Sequence, residues 1–508
     1  MINPFNLVDG FLNQVTMYRL VLYYVGALLL GAVALGFFAL VPHDPATLVF
    51  STVFIGVVCW LSNWALARAL NVPANTDSIY ITAGIVALIM PPVMATDMMG
   101  LSGLALASFA AIASKFLLAI YRKHIFNPVA LGVTVSAYAL DQPATWWVGG
   151  NLELLPLVFI GGFLVLRKVQ RFSMFGVYVL ANLLATALTT TPDMYGEAFM
   201  QTIVYSPLFF AGFAMLTEPL TAPADLKMSL VFGAIVGALS SPSVHIGEFY
   251  FTPEVAFLVG NVFAWAASPK FRYKLTLERI EKKAQGAYDY VFNSNRQLAF
   301  DPGQYLDWTM HLRSPDSRGN RRAFTIASSP NESKVRLGVK FYPHPSAFKQ
   351  GLLNLKPGDQ IYASQLAGEF TLPRAVDEKL AFIAGGIGVT PFRSMVQHMV
   401  DTGDARSVVM FYGNNRANEI AYADVFSRAE QAIDLRTVYA VAETDGADTN
   451  FHHGFIDADM IKREMPDFGE RLFYISGPRS MVTKFQRALG DLGIHRSRIK
   501  TDFFPGFA

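Results

Sequence analysis

"SPKFRYKLTLERIEKK", residues 268–283, is where this chain changes its chemistry. Before it, the only basic residues are Arg19, Arg68, Lys115, Arg122, Lys123, Arg167, Lys168, Arg171 and Lys227, and the rest of the 41 Lys and Arg lie beyond. From Phe271 onward apolar and charged residues alternate with the period of two expected of a half-buried strand. A lipid-like first half therefore meets a water-soluble second half near Ser268. The averages blur this split: 508 residues, 52% hydrophobic, 16% charged, mean hydropathy +0.33. That length allows two or three domains, each with its own core.

Working back from Ser268, apolar segments recur at roughly 17–41, 47–67, 78–91, 98–120, 125–140, 152–166, 173–190, 202–217, 228–241 and 253–268, about ten spans. Several are shorter than the ~20 residues of a straight crossing and are punctuated by Pro or Gly, the pattern of broken helices around a site near the midplane. With both termini cytoplasmic, the inside loops hold Arg68, Lys115, Arg122, Lys123, Arg167, Lys168, Arg171 and Lys227. The outside loops then hold only His43, Asp44, Asp97, Asp141, Asp193, Glu197, His245 and Glu248. This distribution satisfies the positive-inside rule and places everything after Ser268 in the cytoplasm, with the chain multi-pass in the inner (cytoplasmic) membrane. "ITAGIVALIMPPV" (81–93) and "VFGAIVGALSSPSV" (231–244) echo each other faintly, as halves of an inverted repeat would.

Composition also narrows function. A net charge of +2 without a basic stripe gives no reason to expect a nucleic-acid partner. One cysteine, Cys59, allows no intrachain disulfide and no Cys-ligated cluster. The N-terminus lacks a cleavable signal pattern, since the first apolar run is followed by further spans. No metal-ligand constellation is expected.

Forward from Phe271, "FRYKLTLERIEKK", "YDYVFN", "RAFTIAS", "KVRLGVKFY" and "QIYAS", separated by turn residues, predict a small antiparallel β-barrel over 269–375. From 376 to 508 "KLAFIAGG", "SVVMFYGNN", "LRTVYAVAE" and "RLFYISGP" alternate with helical stretches, which predicts a parallel α/β sheet of the nucleotide-binding kind. In "RRAFTIASSP" (321–330) a guanidinium, that of Arg322, can clamp a phosphate bidentately, while Phe324 offers an aromatic face and Thr325 a hydroxyl. "AGGIGVTPFRSM" (384–395) follows a strand and opens a helix with Pro391 in its first turn, and Gly385, Gly386 and Gly388 let backbone approach a phosphate. Pro391 stands where a strict G-x-G-x-x-G fingerprint has its third glycine.

Arg322, Ala323, Phe324 and Thr325, preceded by "PGQY" ending at Tyr305, resemble the flavin-binding signature of the ferredoxin–NADP⁺ reductase family. The resemblance continues through "AFKQGLLNLKPGD", "GEFTLP", the 384–395 loop, "FYGNN", "YISGPRSMV" and the terminal "TDFFPGFA", in the family's order over 273–508. It implies FAD in preference to FMN in the barrel, with its pyrophosphate near Ser346, Ala347 and Phe348. It implies NADPH or NADH at Gly385, Gly386, Gly388, Val389, Thr390, Pro391, Asn414, Gly477 and Pro478. Ser476 stands where the family usually has Cys, beside the hydride path. Phe504 would cover the flavin where nicotinamide stacks and Asp502 would support the flavin N5 region, the alternative being a tail packed on the barrel. Arg416 could meet a 2′-phosphate or lie solvated in its loop.

Such a unit fused to a membrane half implies electrons entering the bilayer. Haem is poorly served, because the membrane half has only His43, His124 and His245. "SKFLLAIYRKHIFNPVALG" (114–132), "FAMLTEPLTAP" (213–223) and "NTDSIYITAGIVALIMPP" (75–92) resemble the flavin-carrying D and B membrane subunits of the Rnf complex and of the sodium-pumping NADH:quinone oxidoreductase. The resemblance makes Thr217, Glu218 and Asn127 candidates for holding a second flavin, FMN or riboflavin, or an ion. The alternative is that Glu218 and Thr221 only cap a short loop where Pro219 and Pro223 stop the helix. The Ser-Gly-Ala-Thr motif that carries covalent FMN in those subunits is absent, "LATALTTTP" (184–192) being the nearest stretch, so a membrane flavin would be non-covalent.

The expectation is a membrane flavoprotein passing electrons from NAD(P)H through FAD to a membrane flavin and on to quinone or an extracytoplasmic acceptor. Two alternatives stand beside it: a membrane-anchored NAD(P)H:quinone reductase with no second redox centre, and a redox-driven ion or solute translocator.

Overall fold

The computed structural model describes residues 8, 12, 15, 17–70, 76–120, 123–223, 225–268, 272–312, 316, 320–443 and 451–504. The chain forms two compact units, Met1–Ser268 and Pro269–Ala508.

The first unit is helical: α1 (Met17–Gly36), α2 (Pro45–Leu70), α3 (Thr76–Ile89), α4 (Met98–Leu117), α5 (Pro128–Leu140), α6 (Leu155–Val169), α7 (Phe172–Thr189), α8 (Tyr195–Val204), α9 (Leu208–Ala214), α10 (Leu226–Leu239) and α11 (Pro253–Ala267). Among the described residues four helices, α1, α2, α4 and α7, have the length and apolarity to cross a membrane. Four of the expected segments thus form helices of full length, and the others form shorter apolar helices. The reason is local. Pro207, which has no N–H to donate, splits the 202–217 run into α8 and α9. Met90-Pro91-Pro92 ends α3 because the residue before a proline avoids helical angles.

A helix that ends inside an apolar body leaves its last carbonyls without water. For α3 the segment 145–148 supplies the partners. Backbone N–H groups of Thr145 and Trp146 donate to Ile89 O at 2.8 and 2.9 Å. The Trp147 indole donates to both Ala87 O and Met90 O at 3.1 Å. Each buried carbonyl left unpaired would cost about 1–3 kcal/mol. The outward faces are apolar as well: Leu30, Val53, Trp64, Leu180 and Leu188 are all more than half exposed.

The echo between 81–93 and 231–244 falls on α3 and α10, helices of equal length with different successors. The succession that does recur is helix, two-residue hairpin, proline-led short helix. It occurs as α4, 119–124, α5, and again as α10, 245–250, α11.

The second unit opens with β1 (Arg272–Ala284), β2 (Ala287–Ser294), β3 (Tyr305–Thr309), β4 (Arg321–Thr325), β5 (Val335–Lys340), α12 (Ala347–Leu353) and β6 (Gln360–Ala367). The strands form one antiparallel sheet in the order β4-β3-β6-β1-β2-β5 around Leu275, Leu277, Phe292, Trp308, Leu337 and Ile361. A parallel sheet follows: β7 (Leu380–Gly385), α13 (Thr390–Thr402), β8 (Val408–Asn414), α14 (Ala423–Ala432), β9 (Leu435–Val441), β10 (His452–His453), α15 (Ala458–Glu464), β11 (Leu472–Pro478), α16 (Arg479–Asp491) and β12 (Ile499–Phe504), in the order β10-β9-β8-β7-β11-β12. Every residue of β7 is buried, as befits a central parallel strand covered on both faces. The chain runs outward from β7 through β10 and then returns to the other side of β7, so the strand order reverses between β7 and β11.

Candidate functional site

A reversal of strand order opens a crevice at the carboxyl ends of the two flanking strands, where dinucleotides bind. Here those ends are Gly385 on β7 and Ser476, Gly477 and Pro478 on β11. Gly386 has φ +53°, a backbone conformation that glycine adopts without cost. Gly388 is tight for a different reason, since a Cβ there would lie 2.5 Å from Ser476 O and 2.6 Å from Gly477 Cα. Val389 and Thr390 lead into α13, with Thr390 Oγ1 donating to Ile387 O at 3.2 Å and Pro391 in the first turn.

Two buried side chains beside this crevice keep polar atoms without a partner: the Ser476 hydroxyl, and both amide atoms of Asn414 at the end of β8. Buried polar atoms are almost always paired, so orphans at this point fit a polar ligand that spans β8, β7 and β11. Asp502 pairs with Ser476 in the β11–β12 register. The terminal acidic-aromatic motif thus begins as an edge strand; the Phe504 side chain lies outside the described residues, as do 505–508. Arg416 is in the loop after β8, its guanidinium donating to Glu443 at 2.8 Å with both side chains more than half exposed.

In the antiparallel sheet, pleat alternation divides the flavin motif between two faces. Tyr305 pairs with Thr325 and Asp307 with Ala323 on one face, while Arg322 and Phe324 alternate with them and share the other face with Leu306 and Trp308. Trp308 Nε1 donates to Phe324 O at 3.1 Å, and the Phe324 ring packs on Phe348 with centroids 5.7 Å apart. Arg322 lies 5.6 Å from the Phe348 ring centroid and donates to Asp316 at 2.8 Å. The second oxygen of Asp316 accepts from the Ala347 backbone N–H at 3.2 Å, at the start of α12, where the Ser346 hydroxyl accepts from Lys349 N. One carboxylate thus bridges the guanidinium and the helix N–H, which is the donor set a pyrophosphate requires. The sequence reading missed Asp316, which no motif flags.

In the first unit, Glu218 Oε2 accepts from Asn127 Nδ2 at 2.8 Å and from Thr221 Oγ1 at 3.2 Å. Asn127 Oδ1 accepts from Val129 and Ala130 N–H at 3.1 Å, capping α5, so the carboxylate is coupled to the positive end of that helix. Asn261 on α11 accepts from Asn127 N at 2.7 Å and donates to Thr221 O at 3.3 Å. Lys115 is the nearby cation, and its ammonium donates to Ser78 O, Ser78 Oγ and Thr82 Oγ1 at 2.8, 2.9 and 2.6 Å. Thr217 stands apart, donating to Phe213 O at 2.7 Å along its own chain. Asn261, Lys115, Ser78 and Thr82 were not singled out by sequence; a lysine and a glutamate within apolar surroundings were the available signal.

Residues 382–487 match the family of the oxidoreductase NAD-binding domain. A flavohemoprotein of Bacillus subtilis (strain 168) is 26% identical over 232 residues, 45% of this chain and 57% of that protein. The reductase component of propane 2-monooxygenase from Rhodococcus jostii (strain RHA1) is 28% identical over 225 residues, 41% of this chain and 57% of that protein. The chain thus spans little more than half the length of these relatives. The flavohem-like FAD/NAD-binding domain of nitric oxide dioxygenase from Vibrio cholerae is 18% identical, with a TM-score of 0.42 over 46% of this chain and 98% of that one. The second unit therefore carries a segment that matches an oxidoreductase NAD-binding domain.

Proposed function

We propose that this chain is a membrane flavoprotein oxidoreductase that takes hydride from NAD(P)H at the crevice of the second unit and delivers electrons into the bilayer. The observation that carries the reading is the pairing of two ligand-ready sites in one unit. The crevice between β7 and β11 has orphaned polar atoms at Ser476 and Asn414, and the mouth of the barrel has an anion clamp in Arg322 and Ala347 N–H.

When bound, FAD accepts the hydride pair and returns the electrons singly. The chain's part is placement. Gly385, Gly386 and Gly388 bring backbone N–H groups to the dinucleotide phosphates, and Gly477 and Pro478 wall the other side. Ser476 and Asn414 donate or accept toward the bound dinucleotide. Arg322 and Ala347 hold the flavin's pyrophosphate once Asp316 yields, and Thr325 and Tyr305 present a hydroxyl and a ring from the other face of the strand pair.

The first unit is read as embedded in the cytoplasmic membrane with both termini inside. Four apolar helices of bilayer length and their apolar outward faces support this, as does the gathering of Lys and Arg on one side when the ten apolar segments of the sequence are all taken as crossings. The cluster of Asn127, Glu218 and Thr221 supports a second, non-covalent flavin (FMN or riboflavin) near the buried end of α5, with quinone or an extracytoplasmic carrier as final acceptor.

The test is a cofactor inventory of the full chain purified in mild detergent. FAD plus a second flavin, both reduced by NADH or NADPH, is the expected result. FAD alone would overturn the membrane relay and leave an anchored NAD(P)H:quinone reductase, and no flavin at all would overturn the whole reading. A turnover that requires a particular cation would favour redox-driven translocation.

A further inference from the structure

Within the second unit, the dinucleotide loop and the flavin strand are tied together by a chain of charges, buried at Arg393 and Asp289 and partly buried between them, that neither half-site motif includes. Arg393 stands two residues beyond Pro391. Its Nη1 donates to Ala327 O at 2.9 Å and its Nη2 to Glu332 at 3.0 Å, with only 6% of its side chain exposed. Ala327 is two residues beyond Thr325. The neighbouring Ser394 hydroxyl donates to Ser328 O at 2.7 Å, and Glu332 also accepts from Ser329 N at 2.6 Å. The helix that follows the phosphate loop thus grips Ala327 and Ser328, just after the flavin strand, and through Glu332 also Ser329.

The chain continues. Glu332 accepts from Arg336 at 3.1 Å, and Arg336 donates to Asp289 at 3.1 Å. Asp289, fully buried on β2, accepts from the Tyr422 hydroxyl at 2.6 Å. Tyr422 returns the path to the dinucleotide lobe, because it ends the loop that begins with Asn414 and Arg416. Its φ of +63° is left-handed, unusual for an aromatic residue and sustained only where surrounding contacts fix it. Gly338 makes room: a Cβ there would sit 2.4 Å from the Tyr422 hydroxyl and 2.7 Å from Thr390 Cγ2. The same loop is held twice more, by Gln285 N–H on Asn418 O at 2.8 Å and by Lys340 on Glu419 at 2.8 Å.

We propose that Arg393, Glu332, Arg336, Asp289 and Tyr422 form a positioning network that sets the separation between the dinucleotide loop and the flavin strand, and so governs hydride transfer while leaving the binding of each cofactor to its own site. Burying several charges for stability alone is inefficient, since apolar packing of equal volume is often as stable. What the network adds is a fixed register between two sheets that share no strand. Reaction rates are far more sensitive to such a register than affinities are, a misplacement of about 1 Å costing on the order of a hundredfold.

The inference rests on hydride transfer from NAD(P)H to FAD as proposed above, and the experiment separates the two. Full-length protein in detergent, loaded with FAD, is mixed anaerobically with NADH, and the loss of the flavin's visible absorbance is followed by stopped flow. Tyr422→Phe keeps the ring and removes the hydroxyl; Arg393→Lys keeps the charge and removes the planar fork. Both should slow the bleaching on the order of tenfold to a hundredfold. The limiting long-wavelength charge-transfer absorbance should fall, the NADH concentration giving half the limiting rate should stay within about twofold, and FAD content should not change. Variants that bleach at the wild-type rate overturn the inference, whatever their melting temperature, and so do variants that lose rate only through weaker NADH binding. If Arg393→Lys fails to fold, Tyr422→Phe and Ser394→Ala decide by the same readout. Wild-type protein that bleaches with neither NADH nor NADPH overturns both the inference and the reading beneath it.

Discussion

Gly388→Ala tests the crevice most directly. The added Cβ would sit 2.5 Å from Ser476 O, 2.6 Å from Gly477 Cα and 2.7 Å from Gly477 N, all backbone atoms of a central strand, against an ordinary contact of at least 3.4 Å. Neither side can rotate away, so the loop must retreat by about 0.9 Å from β11, at a cost of about 1–3 kcal/mol in overpacking. Retreat also lengthens the N–H contacts to the dinucleotide phosphates. Loss of one charge-assisted bond, about 1.5–3 kcal/mol, raises the KM for NADH roughly tenfold to a hundredfold. Gly386→Ala is the matched control: nothing lies within 4 Å of its Cβ, and its positive φ costs only about 1 kcal/mol. NADH oxidation is assayed with ferricyanide, alongside FAD content and thermal melting. The expectation is a large KM increase for Gly388→Ala, a change within about threefold for Gly386→Ala, and unchanged FAD content in both, because the flavin lies on a separate sheet. A wild-type KM in Gly388→Ala, or a greater loss in Gly386→Ala, would refute the placement of the phosphates.

Arg322→Gln should weaken FAD retention roughly tenfold to a hundredfold, since a charge-assisted bond is lost, whereas Asp316→Asn should tighten it severalfold by removing the carboxylate that already occupies the clamp; fluorescence titration of deflavinated protein reads both. Glu218→Gln keeps an acceptor for Asn127 and Thr221 but leaves Lys115 without its counter-charge. NADH:ferricyanide activity should persist while reduction of a short-chain quinone falls at least tenfold, an uncompensated buried charge costing about 3–5 kcal/mol; equal loss of both activities would count against a role in the membrane step. Burial pushes the Glu332 carboxyl up, but the Arg393 hydrogen bonds and the charges of Arg393 and Arg336 outweigh this and hold it below the usual carboxylate range. The unfolded chain then binds more protons in that window, so the contribution to stability is full above an unfolded pKa of about 4.3 and is lost as pH falls through the lower folded value. The difference in melting temperature between wild type and Glu332→Gln should therefore shrink on acidification, and a difference that grows would sink the assignment.

Much of the second unit was legible because its strands obey simple periods. β1 alternates over its first half, and β7, β8 and β11 are largely apolar runs that close on glycine, asparagine or Gly-Pro. β3 escaped notice because "YLDWT" is five residues with an acid in the middle, and β12 because its pairing depends on β11. The helical unit was legible in composition but not in element lengths. Hydropathy cannot distinguish a crossing helix from one that stops at Pro91 and takes its hydrogen bonds from Trp147. Motifs placed the loops around the crevice, whereas Asp316, Arg393 and Tyr422 became visible only in three dimensions, since each acts on a partner distant in sequence.

The capped end of α3 bears on how the protein is made. Its terminal carbonyls receive their donors from residues 56 and 60 positions further along the chain. At a synthesis rate of about 5–20 residues per second, that delay is roughly 3–12 s. During it, the nascent α3 has no donors of its own for these carbonyls, and its end is completed only once residues 145–147 have been made.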